Sequence, residues 1–154
     1  MIGFLLKITP VLVYIINFLF VPLNFSYDVE DPVEIGSLIV RITGFESDEG
    51  ECWFALDNSK EIYESDDSVF IGKIVPVVNN EVIVKIDSLK YGHYAIKVFH
   101  DENSNGELDS NFLGMPTEDY GFSNNASSWF GPPRWEKARF LFNKKEMTIE
   151  ISID

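Results

Sequence analysis

From about residue 35 to the end of the chain, apolar residues recur at every second position. In "SLIVRIT" Leu38, Val40 and Ile42 share one face, and in "ECWFALD" Cys52, Phe54 and Leu56 do. Val82, Val84 and Ile86 align in "EVIVKID", with Glu81, Lys85 and Asp87 opposite. Tyr94, Ile96 and Val98 align in "HYAIKVFH". "ARFLF" groups Ala138, Phe140 and Phe142, and "MTIEISI" groups Met147, Ile149, Ile151 and Ile153. A period of two belongs to strands with one buried face, whereas a helix repeats every three to four. "SVFIGKIVPVV" reads as a further extended run, one strand or two broken near Gly72 or Pro76. Turn clusters such as "ESDEG", "VNN", "KYG" and "NKKE" separate the runs. About seven short strands predict an all-β fold, a single antiparallel β-sandwich, because one sheet alone would leave its apolar face wet. No internal repeat or low-complexity linker divides 35–154, which reads as one domain.

The alternation stops between Ser110 and Lys137. Loops of this length are uncommon in compact domains. This one carries Phe112, Leu113, Met115, Tyr120, Phe122, Trp129, Phe130 and Trp135. So many apolar groups predict an ordered loop lying over one end or edge of the sandwich, with at most one short helical turn. Tyr120, Trp129 and Trp135 admit two readings: core beneath the loop, or an exposed platform for a carbohydrate, peptide or protein ligand.

Residues 1–27 differ in kind. They are almost wholly apolar, with Lys7 as the only charge, and acidic "DVEDPVE" follows. A lone basic residue, an apolar run and then a polar stretch is the plan of a secretory signal. No A-x-A cleavage site is visible, and the run is long enough to anchor in a bilayer. The expectation is a signal peptide or N-terminal anchor over 1–27, an acidic linker over 28–34 and a sandwich domain over 35–154. The domain would then be exported, as a periplasmic, secreted or envelope-associated protein.

Charge narrows the partners. The 154 residues hold 25 acidic and 12 basic side chains, a formal charge of -13. Nucleic acid needs Lys and Arg on its phosphates and is excluded as a partner. Anionic lipid is disfavoured, so no membrane contact is expected beyond an N-terminal anchor. Cations are compatible, as is a surface acidic simply for solubility. Cys52 is the single cysteine and reads as a small buried hydrophobe. No CxxC, HExxH, Walker loop or GxSxG stretch occurs. Oligomeric state leaves no trace in the pattern.

One stretch carries chemistry. In "HDENSNGELDSNFLG", Asp101, Asn103 and Asn105 alternate, then Gly106 precedes Glu107, Leu108 and Asp109. This is the opening of an EF-hand-type calcium loop, D-x-[DN]-x-[DN]-G. Calcium is hard and takes several oxygens, and alternate residues in a curled backbone point inward together. Gly106 allows the sharp turn, the Glu107 carbonyl would supply a backbone ligand, and Asp109 would ligate directly or through water. The bidentate Glu expected at the twelfth position is absent, since Phe112 stands there. A distant carboxylate would have to complete the shell, with Glu118 and Asp119 nearest. The competing reading is a metal-free turn rich in Asn and Asp. His100 could act as a general base with Glu118 or Asp119 in a hydrolase, or simply hydrogen-bond at the strand end.

The string from "YGHYAIKVFHDENSNGELDSNFLGMPTEDYGFSNNA" to "GPP" and "EKARF" resembles domain-of-unknown-function family 2141, exported bacterial proteins of about this size. Its hallmark is matched here from Gly92, Tyr94 and Ala95 through His100, Asp101, Glu102, Asn103, Asn105, Gly106, Leu108 and Asp109. The match continues through Gly114, Pro116, Glu118, Tyr120, Gly121, Phe122, Ser123, Asn124 and Asn125 to Pro132 and Pro133. Trp135 departs from it mildly, where a Phe is usual. The resemblance implies a transthyretin-like or carboxypeptidase-regulatory-like sandwich and no established activity. The leading expectation is an exported, non-catalytic sandwich with one structural calcium ion. A carbohydrate- or peptide-binding module and a hydrolase are the alternatives.

Overall fold

The computed structural model describes residues 34–65 and 67–154. The expectations for 1–27, and for the acidic linker up to residue 33, lie outside the described residues.

Among the described residues eight strands form two sheets. In the first, β1 (Ile35–Thr43) lies between β4 (Glu81–Lys90) and β8 (Glu146–Ser152). The second runs β3 (Ile71–Pro76), β2 (Glu51–Asp57), β5 (Gly92–Asp101), β6 (Tyr120–Phe122). β7 (Phe140–Phe142) pairs with the start of β5. The predicted sandwich is therefore present, with one difference: β1 pairs β8 in parallel, while the other ladders are antiparallel. The period of two reports only which face is buried, and a strand buries that face whichever way its neighbour runs.

Register and burial agree. Leu38 lies opposite Ile86, Val40 opposite Val84 and Ile42 opposite Val82. All six are buried in the core between the sheets, with Cys52, Phe54, Leu56, Tyr94, Ile96, Val98, Phe142 and Ile151. A slip of one residue would turn each of these faces to water. Each such side chain contributes about 1.5–3 kcal/mol when fully buried. The edge strand β3 carries Lys73 on its core-side face, where Nζ donates to the Lys85 carbonyl at 3.1 Å. That charge, with Pro76 at the strand end, discourages further strand pairing.

A second, smaller core sits on the outer face of the larger sheet. It joins Ala95, Phe122, Tyr63, Trp135 and Ala138. Two single-turn helices supply part of it, α1 (Lys60–Tyr63) and α2 (Trp135–Ala138). Ser59 caps α1, accepting the Ile62 N–H at 3.3 Å. Trp135 and Ala138, three apart, fall on one side of a helical turn. The expected strand face shared by Ala138, Phe140 and Phe142 is thus corrected: Ala138 belongs to α2, and only the two phenylalanines are in β7.

The long loop is also corrected in part. Phe122 and Trp135 pack as expected, but Phe112 is 95 % exposed, Trp129 97 % and Phe130 94 %. Leu113 and Met115 stand out as well. A loop held by its own hydrogen bonds does not need its apolar side chains for cohesion.

Candidate metal centre

β5 delivers Asp101 to the end of the sheet, opposite Glu51 of β2. The turn before β2 makes this possible. Gly50 has φ +72, and its Cα lies so close to the Asp101 carbonyl that any Cβ would collide. Asp101 is fully buried. Its Oδ1 accepts the Asn105 N–H at 3.0 Å, and Oδ2 accepts the Gly106 N–H at 2.8 Å. The chain thereby curls around the carboxylate, with Ser104 at φ +57 and Gly106 at φ +82.

The other alternating side chains converge. Asn103 Nδ2 donates to Asp109 Oδ2 at 2.6 Å, and Asn105 Nδ2 donates to Asp109 Oδ1 at 3.2 Å. Asn105 Oδ1 accepts the Glu107 N–H at 2.8 Å. Each asparagine carries an amide oxygen beside the nitrogen that reaches Asp109, and a half-turn of the amide exchanges the two. Glu107 itself is exposed.

Glu118 has a different occupation from the one expected. It is 7 % exposed, and Oε1 accepts the Glu102 N–H at 3.0 Å while Oε2 accepts the Asp109 N–H at 2.9 Å. It clasps both ends of the loop by backbone and does not join Asn103, Asn105 and Asp109. Asp119 contributes its carbonyl, which accepts the His100 N–H at 2.8 Å.

The loop is electrically one-sided. From Asp101 to Pro133 the sequence has six acids and no Lys or Arg. Among the described residues no ion pair reaches Asp101, Asp109 or Glu118. Two buried carboxylates are therefore balanced by N–H dipoles alone. The donor set fits a hard cation: Asp101 and Asp109 carboxylates, Asn103 and Asn105 amides and a backbone carbonyl are all oxygen donors. Each carboxylate oxygen also keeps a lone pair beyond the one used by an N–H. Among the described residues no three His, Cys, Asp or Glu side chains converge as a metal set. Calcium, which accepts amide and carbonyl oxygens, thus fits better than zinc.

His100 faces the interior, fully buried and edge-on to Phe45 at 5.1 Å between ring centroids. Nε2 lies 2.6 Å from the Glu49 carbonyl, which can only accept, so the proton is on Nε2. Nδ1 has no hydrogen-bond partner, and Glu102 Oε1 lies 3.7 Å away. Both Glu118 oxygens are engaged elsewhere. Among the described residues no hydrogen bond joins the His100 ring to the side chain of Glu118 or Asp119. Cys52 is equally inert, because burial pushes its thiol up to about 12.

The three platform candidates are separated. Trp135 is buried, with its ring centroid 5.8 Å from that of Tyr63. Tyr120 is half-buried against Phe122 at 5.9 Å. Trp129 alone stands in solvent. Sequence reasoning missed Asn111, whose carbonyl and side chain organise the exposed tip of the loop. An Asn two residues before Leu113 and three before Gly114 was the available signal, since Asn side chains bond backbone two residues on.

A family described as an uncharacterized protein conserved in bacteria (DUF2141) matches residues 40–150. No curated protein and no solved structure matches.

Proposed function

The chain belongs to the DUF2141 family, uncharacterized proteins conserved in bacteria, and from that membership, which carries no activity, we propose an exported, non-catalytic β-sandwich whose β5–β6 loop is ordered by calcium. The observation that supports it is the burial of Asp101 and Glu118 without any cationic partner among the described residues. When bound, calcium would supply the missing positive charge and draw together the oxygens of Asp101, Asn103, Asn105, Asp109 and the Glu107 carbonyl. Asp101 also holds the Asn105 and Gly106 N–H groups, and Glu118 holds the two ends of the loop. Export rests on the apolar run of residues 1–27 and the acidic stretch after it. A fusion of 1–35 to a reporter active only outside the cytoplasm tests it, and a silent reporter overturns it.

Thermal unfolding tests the ion. Lacking a bidentate twelfth ligand, the site should be weak, with Kd on the order of 10⁻⁴ M. At about 1 mM calcium the linkage then stabilises by roughly 1.4 kcal/mol. That raises Tm by about 3–6 °C. Chelator should reverse the shift, and magnesium should produce less of it. Asn103→Ala, which leaves the Asp101 and Glu118 bonds in place, should weaken the response, and Asp101→Ala should abolish it. Glu102→Ala should leave it nearly intact, because that side chain is half-exposed and turned toward His100. A Tm indifferent to calcium and chelator refutes the site.

A further inference from the structure

We propose that the tip of the segment between Asp109 and Glu118 is a membrane finger, whose Phe112, Leu113 and Met115 side chains insert into the surface of a zwitterionic lipid bilayer. The finger itself stands on its own geometry; only its dependence on calcium rests on the reading above.

The segment is a narrow hairpin. Ser110 bridges Pro116, and the Thr117 N–H donates to the Asp109 carbonyl at 2.8 Å. Glu118 clasps its base to Asp109. At the tip Phe112 is 95 % exposed, Leu113 68 % and Met115 58 %. Neighbouring large apolar side chains left in water mark a contact surface.

The backbone indicates which surface. In hydrocarbon an unpaired N–H costs several kcal/mol, so an inserting loop must satisfy its own donors. Of the four N–H groups from Phe112 to Met115, this tip satisfies three through one residue, all but that of Phe112. Asn111 Oδ1 accepts the N–H groups of Leu113 at 2.9 Å and Met115 at 3.2 Å. Its carbonyl accepts that of Gly114 at 2.8 Å, and its own N–H donates to the Met115 carbonyl at 2.8 Å. Pro116 has no N–H. From Phe112 to Pro116 the sequence is "FLGMP", with no charge and no polar side chain. A convex tip of this kind would need a matching pocket on a protein, whereas a bilayer deforms around it. The acids at the neck, with no Lys or Arg beside them in sequence, favour zwitterionic over anionic headgroups. A cation bound at the base would lower the repulsion further.

Labelling the full chain at the tip tests this. Leu113→Cys accepts an environment-sensitive fluorophore selectively, because the native Cys52 is buried. Thr148→Cys, exposed on β8, is the control position. The readout is position-specific, so association through residues 1–27 does not mimic it. Phosphatidylcholine vesicles carrying a quencher in the acyl region should blue-shift and quench the label at 113 and leave that at 148 unchanged. Phe112→Ser in the same background should lose most of the quenching. Insertion in calcium and not in chelator upholds both the finger and the cation reading. Equal insertion in both upholds the finger and counts against the cation. Absence of quenching at 113 in both conditions, or equal quenching at 148, overturns the finger and leaves the cation to the melting test.

Discussion

The irregular region between β5 and β7 is held together by two different kinds of force. Its first half, Asp101 to Glu118, is tied by carboxylates that accept backbone N–H groups. Its apolar side chains face water at the tip. The second half, Tyr120 to Arg139, is tied by a buried cluster, with Phe122, Trp135 and Ala138 against Tyr63 and Ala95. Polar bonds support that cluster. Ser123 Oγ donates to the Ala138 carbonyl at 2.6 Å and accepts the Ile96 N–H at 2.8 Å. The Tyr63 hydroxyl donates to the Pro133 carbonyl at 2.9 Å, and burial, with Asp57 nearby, pushes that phenol up. The two halves put their apolar side chains to different use. The second buries Phe122, Trp135 and Ala138 to fold, although Trp129 and Phe130 stay in water; the first folds without burying Phe112, Leu113 or Met115 and is left with a surface to use.

That contrast breaks most visibly if the second core is emptied. Trp135→Ala removes a buried ring and should cost about 3–5 kcal/mol, read as a lower urea midpoint. The cost should be the same in calcium and in chelator, because the cluster shares no partner with the first half. A cost that depended on calcium would show that the halves are coupled.

The converse experiment acts on the clasp. Glu118→Ala leaves the Glu102 and Asp109 N–H groups without their acceptor, at about 1–3 kcal/mol in total. Limited proteolysis should then cut first between residues 102 and 118 and spare 123–139. Early cutting near Asn124 instead would mean that the second half depends on the first for its order.

These two outcomes bear on what the sequence discloses. The sandwich was legible because a half-buried strand must alternate, as Leu38, Val40 and Ile42 do. The parallel partnership of β1 and β8 was not, since direction leaves no mark on the period. The convergence of Asn103, Asn105 and Asp109 followed from their spacing and Gly106. The occupation of Glu118 did not, because whether a carboxylate meets a cation or an N–H depends on where a chain segment returns. Composition overstated the packing of the long loop. Phe112 and Trp129 look as apolar as Phe122 and Trp135, yet only the latter pair lies beside partners, in β6 and α2, that hold it to the sheet.

A smaller effect is expected at Asn124. Its Nδ2 lies 3.0 Å from the Lys137 carbonyl, 3.2 Å from that of Ala138 and 3.0 Å from that of Arg139. These are end carbonyls of α2, which a one-turn helix leaves without internal partners. Asn124 also sits at φ +60, which asparagine tolerates better than most residues. Asn124→Ala should cost about 1–2 kcal/mol, part bond and part backbone. Asn124→Gly, which relieves the backbone and still lacks the amide, should fall below it. If glycine costs as much as alanine, the amide alone matters.

The smallest effect belongs to the Lys60–Glu136 ion pair, which spans α1 and α2. Lys60 Nζ lies 3.1 Å from Glu136 Oε1, with both side chains about half exposed (48 % and 54 %). The Glu136 carboxyl is held below its ordinary range by its own backbone N–H and then by Lys60. Lys60 is raised, first by its hydrogen bond to Glu136. A depressed carboxylate stabilises above its unfolded pKa of about 4.3 and loses that contribution as pH falls through the folded value. A raised lysine stabilises below its unfolded pKa of about 10.4 and loses it as pH rises through the folded value. The pair therefore contributes across the neutral plateau and fades at both ends. Water and salt screen it, since charges this exposed interact weakly. Glu136→Gln should lower Tm slightly at pH 7, and the difference from the parent should close near pH 3 and in about 1 M salt, where the Debye length falls to ~3 Å. A difference that persists in acid and in salt would mean that Glu136 acts through packing of α2 on the second core, and the second half would then owe nothing to charge.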